Sequence, residues 1–250
     1  MSDVPRPNNG VKERKGFATT HWSVVVAAGD SSAPVARDAL EKLFGTYWYP
    51  LYAYIRRRGF GAHDAEDLTQ AFFAWLLQSR HLRLADSELG KFRSFLLIRL
   101  KHYLSDERKK GHAQKRGGGQ PIISLNAQLA EDRYGLEPVT ELTPERIFER
   151  RWALAVLERS VARLREEYVT AGRTGLFEEL KHFPPGQKGQ IAYAEVAARL
   201  GVTESAVKSA IHRMRMRHRD LLRQEIAHTV STPAEVDDEL RYLITVLGGS

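Results

Sequence analysis

The stretch YAEVAARLGVTESAVKSAIHRMRMRHR, Tyr193 to Arg219, decides the fold. Val196, Ala197 and Leu200 mark one face of a first helix. Gly201 follows, where a chain leaving a helix needs a residue that tolerates positive φ. Val202 is expected to make a buried contact in the turn. Thr203 is a good N-cap, and Glu204 sits in the favourable first turn of a second helix. That helix repeats apolar or half-apolar positions at Val207, Ile211, Met214, His218 and Leu221, spaced four, three, four and three. Lys208, His212, Arg215 and Arg219 fall together on another face. Small residues for a close helix crossing, a glycine turn and a basic second helix are what a DNA-reading helix-turn-helix requires. An ordinary helical hairpin with a solvated charged face accounts for fewer of these features at once.

The rest of the chain also has helical spacing, which predicts an all-α protein. A polar tail is expected over residues 1–18. Thr19 or Thr20 caps a short helix through Trp22, Val25 and Val26. A longer helix starts near Pro34, with a stripe through Ala36, Leu40, Leu43, Phe44, Tyr47, Trp48, Leu51, Tyr54 and Ile55. Arg56, Arg57 and Arg58 close it against its dipole, and Gly59 ends it. Asp64 is expected to cap the next helix, with Leu68, Phe72, Phe73, Trp75, Leu76 and Leu77 as its apolar residues. A third runs from about Lys91 to Lys110 and buries Phe92, Leu96, Leu100, Tyr103 and Leu104. Residues 19–110 form one helical domain on this reading.

Residues 111–143 change character. KRGGGQ has no core-forming side chain and marks a flexible linker. Thr143 and Pro144 then resemble a cap with proline at the first helical position. They open a helix carrying Ile147, Phe148, Trp152, Leu154, Val156, Leu157, Val161 and Leu164. Another helix includes Leu176, Phe177, Leu180 and Phe183, and Pro184, Pro185 and Gly186 break it. Residues 144–228 form a second domain. In residues 229–250, Thr232, Pro233 and Glu235 cap a last helix whose apolar face is Val236, Leu240, Leu243, Ile244 and Leu247. It is expected to pack on the second domain rather than to dock a regulator.

Composition narrows the function. The 250 residues carry a formal charge of +7 and no cysteine. An acidic polymer is a fitting partner. Disulfides, thiolate metal sites and cysteine nucleophiles are excluded. No apolar run approaches the ~20 residues of a membrane span. The polar N-terminus lacks a signal-peptide core, so a cytoplasmic location without membrane attachment is expected. There is no GxxxxGK[ST], HExxH or GxSxG pattern. No catalytic residue, cofactor or metal site is therefore expected.

Three motifs carry a family resemblance over residues 20–228: DAEDLTQAFFAWLL (Asp64–Leu77), FRSFLLIRLKHYLSDERKK (Phe92–Lys110) and the helix-turn-helix. Together the chain resembles a bacterial sigma factor of the extracytoplasmic-function (ECF) type, from a divergent subgroup with extra N- and C-terminal elements. The resemblance implies that Asp64, Glu66, Asp67 and Gln70 contact the β′ clamp of core RNA polymerase. Ala71 stands where the family usually has an acid. In the second motif, Phe95, His102 and Lys109 replace the family's Trp, Asn and Arg, while Asp106 keeps its place. Arg99, His102, Tyr103 and Lys109 are the implied minus-ten contacts, although the apolar neighbours of Tyr103 favour the core. Ser205, Lys208, Ser209, His212 and Arg213 are the implied groove-facing residues at the minus-thirty-five element. Arg215, Arg217 and Arg219 lie nearer the DNA backbone.

The resemblance also allows a contact with the polymerase β flap, which it supports less than the β′ clamp because the stretch Arg165–Gln190 is longer than usual and lacks the family's LPxxxR-type segment. Promoter DNA is the second implied partner, and the resemblance allows an anti-sigma factor or a kinase as well. The competing readings are an operator-binding regulator that uses only the helix-turn-helix, and a helical scaffold that has lost DNA binding. The first leaves the DAEDLTQ and Phe92–Lys110 segments without a role.

Overall fold

The computed structural model describes residues 34–78, 91–110, 127–135, 142–183, 190–230 and 232–248. Among these residues there are nine α-helices and no strand, as the periodicity predicts. They are α1 (Pro34–Arg57), α2 (Ala62–Gln78), α3 (Phe92–Lys110), α4 (Ala127–Gly135), α5 (Pro144–Thr170), α6 (Thr174–Leu180), α7 (Gln190–Leu200), α8 (Glu204–Ala227) and α9 (Pro233–Gly248). The N-terminal tail, the helix expected at Trp22, the glycine run KRGGGQ and the Pro184–Gly186 break lie outside the described residues. So do the side chains of Ala36, Leu40 and Leu43.

Helix α1 is the centre of the main core. Tyr47, Trp48, Leu51, Tyr52, Tyr54 and Ile55 are all fully buried, and they occupy more than one face. A helix that is apolar around most of its circumference must be surrounded; α2, α4 and α5 pack against it. Aromatic geometry fixes these contacts. Phe44 meets Phe73 of α2 at 4.3 Å between ring centres, and Tyr47 meets Phe92 of α3 edge-on at 5.1 Å. Each such side chain contributes about 1.5–3 kcal/mol by burial. Pro50 lies inside α1 and removes one intrahelical N–H donor.

Helix α5 is the long connector. Its 27 residues span about 40 Å at ~1.5 Å per residue. The N-terminal half places Ile147, Phe148, Trp152, Ala153 and Val156 in the core built on α1. There Trp152 Nε1 donates to Tyr47 Oη at 3.1 Å. The C-terminal half puts Leu164 against Phe177 and Leu221, where the helix-turn-helix is carried. As expected, Thr143 caps α5 by accepting from the Arg146 N–H at 3.3 Å. Val161, expected in the apolar face, is 41% exposed instead, because the stripe passes through Val156, Ser160 and Leu164.

Helix α4 lies within the stretch read as linker. Ala130 is buried, and Arg56 of α1 donates to both carboxylate oxygens of Glu131 at 3.0 and 2.6 Å. The Tyr52 hydroxyl donates to the same carboxylate. The Arg56 guanidinium holds Glu131 below the ordinary carboxylate range.

Two further expectations are corrected. Asp64 does not cap α2: the helix begins two residues earlier, at Ala62, and Asp64 stands in its first turn. Ile244 is 66% exposed. The buried line of α9 runs through Val236, Glu239 and Leu243, and Ile244 lies about 100° around the helix from Leu243. The α9 cap is present, with the Thr232 N–H donating to Glu235 Oε2 at 2.9 Å. The helix packs on α5 and α8, as expected. In addition it reaches α3, because Glu239 accepts from Arg93.

Candidate nucleic-acid and polymerase interfaces

The turn between α7 and α8 is built from backbone bonds. Gly201 sits at φ +65°, a left-handed value that side-chain-bearing residues rarely adopt. Its N–H donates to Ala198 O at 3.3 Å, and the Val202 N–H donates to Ala197 O at 3.0 Å. This pair of bonds is the glycine-terminated Schellman motif. Val202 itself is 45% exposed, not buried as expected, because the whole turn from Gly201 to Ala206 faces outward. Thr203 then caps α8, its hydroxyl accepting from the Ala206 N–H at 3.2 Å.

Val207, Ala210 and Ile211 bury against Val196 and Ala197 of α7. That packing turns the opposite face of α8 outward. Ser205, Lys208, Ser209, His212, Arg213 and Arg219 are all exposed, at helical spacing on one side, with Met216 among them. Lys208 makes an i,i−4 contact with Glu204 at 3.7 Å, and its ammonium lies 5.5 Å from the Tyr193 ring centre.

The remaining cations of α8 are committed to the fold. Arg217 forms two bonds to Glu167 of α5, at 2.8 and 2.6 Å. Arg215 is half-buried and donates to Phe183 O at 3.2 Å. Met214 and His218 are half-buried rather than fully buried. His218 Nε2 shares a hydrogen bond with Ser160 Oγ at 2.9 Å, and burial lowers its pKa.

On α3, His102, Asp106 and Lys109 form an exposed line, with Asp106 and Lys109 3.8 Å apart. Arg99 is half-exposed, its guanidinium 5.4 Å from the Phe95 ring centre. Tyr103 is only 7% exposed, with Phe72 and Trp75 at 5.7 and 5.5 Å. Burial pushes its phenol up to about 12, so it stays protonated.

On α2, Asp64 and Asp67 are exposed while Glu66 and Gln70 are half-buried. Gln70 donates to Glu66 at 3.2 Å, which orients both toward the same side of the helix. The structure therefore presents three separate groups, on α2, α3 and α8, rather than one cleft. Among the described residues no cluster of His, Asp or Glu could hold a metal ion, and no helix is long and apolar enough to cross a membrane.

Sequence reasoning missed a buried polar hub. Glu239 of α9 is 1% exposed and accepts two bonds from Arg93 of α3, at 2.8 and 3.1 Å. Lys91 pairs with the same carboxylate. The Arg93 guanidinium lies 4.1 Å from the Tyr242 ring centre and 5.1 Å from that of Trp152. The available signal was position: Glu239 sits inside the apolar register between Val236 and Leu243.

No family model matches the chain, and no solved structure matches it. A curated relative, the ECF RNA polymerase sigma factor SigE of Mycolicibacterium smegmatis, is 29% identical over 214 residues. The matched region covers 85% of this chain and 72% of the relative. Over most of its length this chain is therefore similar to the extracytoplasmic-function sigma factors of bacterial RNA polymerase, a resemblance that its three motifs carry and its all-α fold shares.

Proposed function

We propose that this chain is a dissociable specificity subunit of bacterial RNA polymerase. It binds the core enzyme and directs promoter-specific initiation, and catalysis stays with the polymerase. The observation that carries the reading is the exposed stripe from Ser205 to Arg219 on α8, on a helix whose other cations are tied to the fold. A helix of this kind enters the major groove, and Ser205, Lys208 and Ser209 bring donors to base edges from its N-terminal half. His212 and Arg213 face the groove beside them, and Arg219 contacts phosphates nearer the DNA backbone.

The assigned partition gives residues 19–110 the β′ clamp and the minus-ten element. Residues 144–228 take the minus-thirty-five element, with 111–143 between them and 229–250 after them. Asp64, Glu66, Asp67 and Gln70 meet a basic coiled coil with carboxylates and an amide on one helix. Arg99, His102 and Lys109 face melted DNA, where His102 stacks on or hydrogen-bonds an unstacked base.

The test is a titration of the protein against bacterial core RNA polymerase with a known sigma factor as competitor. Saturable binding that the competitor displaces is expected. A folded sample that fails to bind core enzyme refutes the reading and leaves an operator-binding regulator in its place.

A further inference from the structure

Helices α3 and α8 start from one junction. The Phe92 N–H, at the first residue of α3, donates to Thr229 O, just past the end of α8, at 3.0 Å. Helix α9 ties the same junction from outside. Its Asp237 accepts from Arg223 of α8, and two residues on its Glu239 takes Arg93 and Lys91 at the start of α3. That junction limits how far apart the two helices can reach. His102 is ten residues from Phe92, about 15 Å along α3 at ~1.5 Å per residue. His212 is seventeen residues from Thr229, about 26 Å along α8. Even if the helices pointed in opposite directions, these two side chains would lie within about 45 Å of each other. Elements centred near minus ten and minus thirty-five are about 25 base pairs apart, which is about 85 Å of duplex at roughly 34–36 Å per turn.

We propose that α9 is a latch that holds the free chain closed, in a state whose α3 and α8 cannot engage both promoter elements at once. The proposal rests on the sigma-factor reading, which gives those helices their two elements. To span them, residues 34–110 must part from residues 144–248 along the contacts of α1 with α5 and of α3 with α9. The chemistry of the latch suits a seam that opens. Arg93, Lys91 and Glu239 regain hydration when they separate, which offsets the loss of their pairing. Helix α9 otherwise packs on α5 and α8, so it travels with them. The first module keeps contacts of its own, with Phe44 on Phe73 and Phe72 on Tyr103. Binding of core polymerase supplies the free energy of opening, and the latch lowers the apparent affinity for core by the fraction of chains that are closed.

The experiment is a distance measurement on the full chain. The chain has no cysteine, so Glu41→Cys on α1 and Ala171→Cys at the end of α5, both exposed, are labelled alone with a fluorophore pair. The free chain should show one short distance, and the complex with core polymerase and promoter DNA a distance longer by tens of Å. Two variants weaken the latch in this background. Lys91→Glu sets a second carboxylate against Glu239, and Glu239→Gln keeps the side-chain shape without its charge. Both should populate the long distance in the free chain and tighten core binding by about fivefold or more, with circular dichroism showing that they are folded. Folded variants with the wild-type distance and affinity overturn the proposal. So does a wild-type distance that stays short in the promoter complex. Weaker core binding at an unchanged free-chain distance also overturns it and makes the junction a polymerase contact. If no form of the chain binds core polymerase, the sigma-factor reading fails. The free-chain distances then still decide the latch: lengthening in the variants upholds it, and no change overturns it.

Discussion

Glu239→Ala is expected to be one of the most destabilising single substitutions in α9. The carboxylate is 1% exposed, and it meets an Arg93 side chain that is only 10% exposed. Removing it leaves a buried guanidinium whose nearest remaining acid is Glu149, at 3.7 Å. Breaking a buried pair from one side costs about 3–5 kcal/mol, because the surviving charge stays desolvated and uncompensated. Glu149 and the faces of Tyr242 and Trp152 offset part of this, so the lower end, about 3 kcal/mol, applies. For a chain of this size each kcal/mol moves the melting midpoint by roughly 2–4 °C, giving a drop of about 6–12 °C. Arg93→Met with Glu239→Met removes both charges and keeps apolar volume, so it should recover most of the loss. Thermal unfolding followed by circular dichroism reads both variants. If the double variant melts as low as the single one, packing around α9 rather than charge compensation is what matters, and the argument fails.

Other outcomes follow from the same structure. Lys208→Ala with His212→Ala should abolish promoter selectivity in a run-off transcription assay while sparing core binding, and Asp67→Ala with Gln70→Ala should do the reverse. Identical behaviour of the two pairs would undo the division of labour between α2 and α8. Gly201→Ala forces a left-handed backbone onto a residue with a Cβ and should cost about 1–2 kcal/mol in denaturant melts; a neutral result would mean that the turn relaxes. Burial raises the Glu225 pKa, but Arg163 and Arg159, at 2.8 and 3.1 Å, more than offset this and hold it below the ordinary range. A depressed carboxylate contributes stability above its unfolded value, about 4.3, and that stability is lost as pH falls through the folded value. Glu225→Gln should therefore flatten the acid limb of the stability profile. His218 is depressed by burial, so its contribution is present above about pH 6.5 and declines as pH falls below it. A His218→Gln variant that keeps the wild-type slope between neutral and mildly acidic pH would exclude this histidine as the source.

The sequence makes the helices legible because their ends are signalled by local chemistry. Thr143, Thr203 and Thr232 are caps in the structure, and Gly59 and Gly201 stand at positive φ where helices end. Periodicity also finds the buried sides of α2 and α3, since those helices bury one face. It places Val161 and Ile244 wrongly because an apolar residue one step off the stripe looks the same on paper as one on it. Long-range pairing is illegible for a deeper reason. Arg93 and Glu239 are 146 positions apart, and nothing local distinguishes them from solvated charges. The helix Ala127–Gly135 is docked by Arg56, 75 positions before its Glu131. A single-sequence reading sees only mixed polarity there.

The same limit decides how net charge relates to function. A surplus of +7 says that an acidic partner fits, but not which cations meet it. On α8 the structure makes that division. Arg217 is bonded to Glu167, Arg215 to the Phe183 carbonyl and Arg223 to Asp237. These arginines hold α8 against α5, the segment before α7 and α9. Ser205, Lys208, Ser209, His212, Arg213 and Arg219 are exposed and share one outward face. Substituting a committed arginine would weaken DNA binding only by loosening the helix, so its effect should appear in the melting midpoint as well. Substituting an outward one should change the salt slope of duplex binding, by about 0.9 per phosphate contact, without moving the melt. That separation turns a basic composition into a proposed interface with named residues and a test for each.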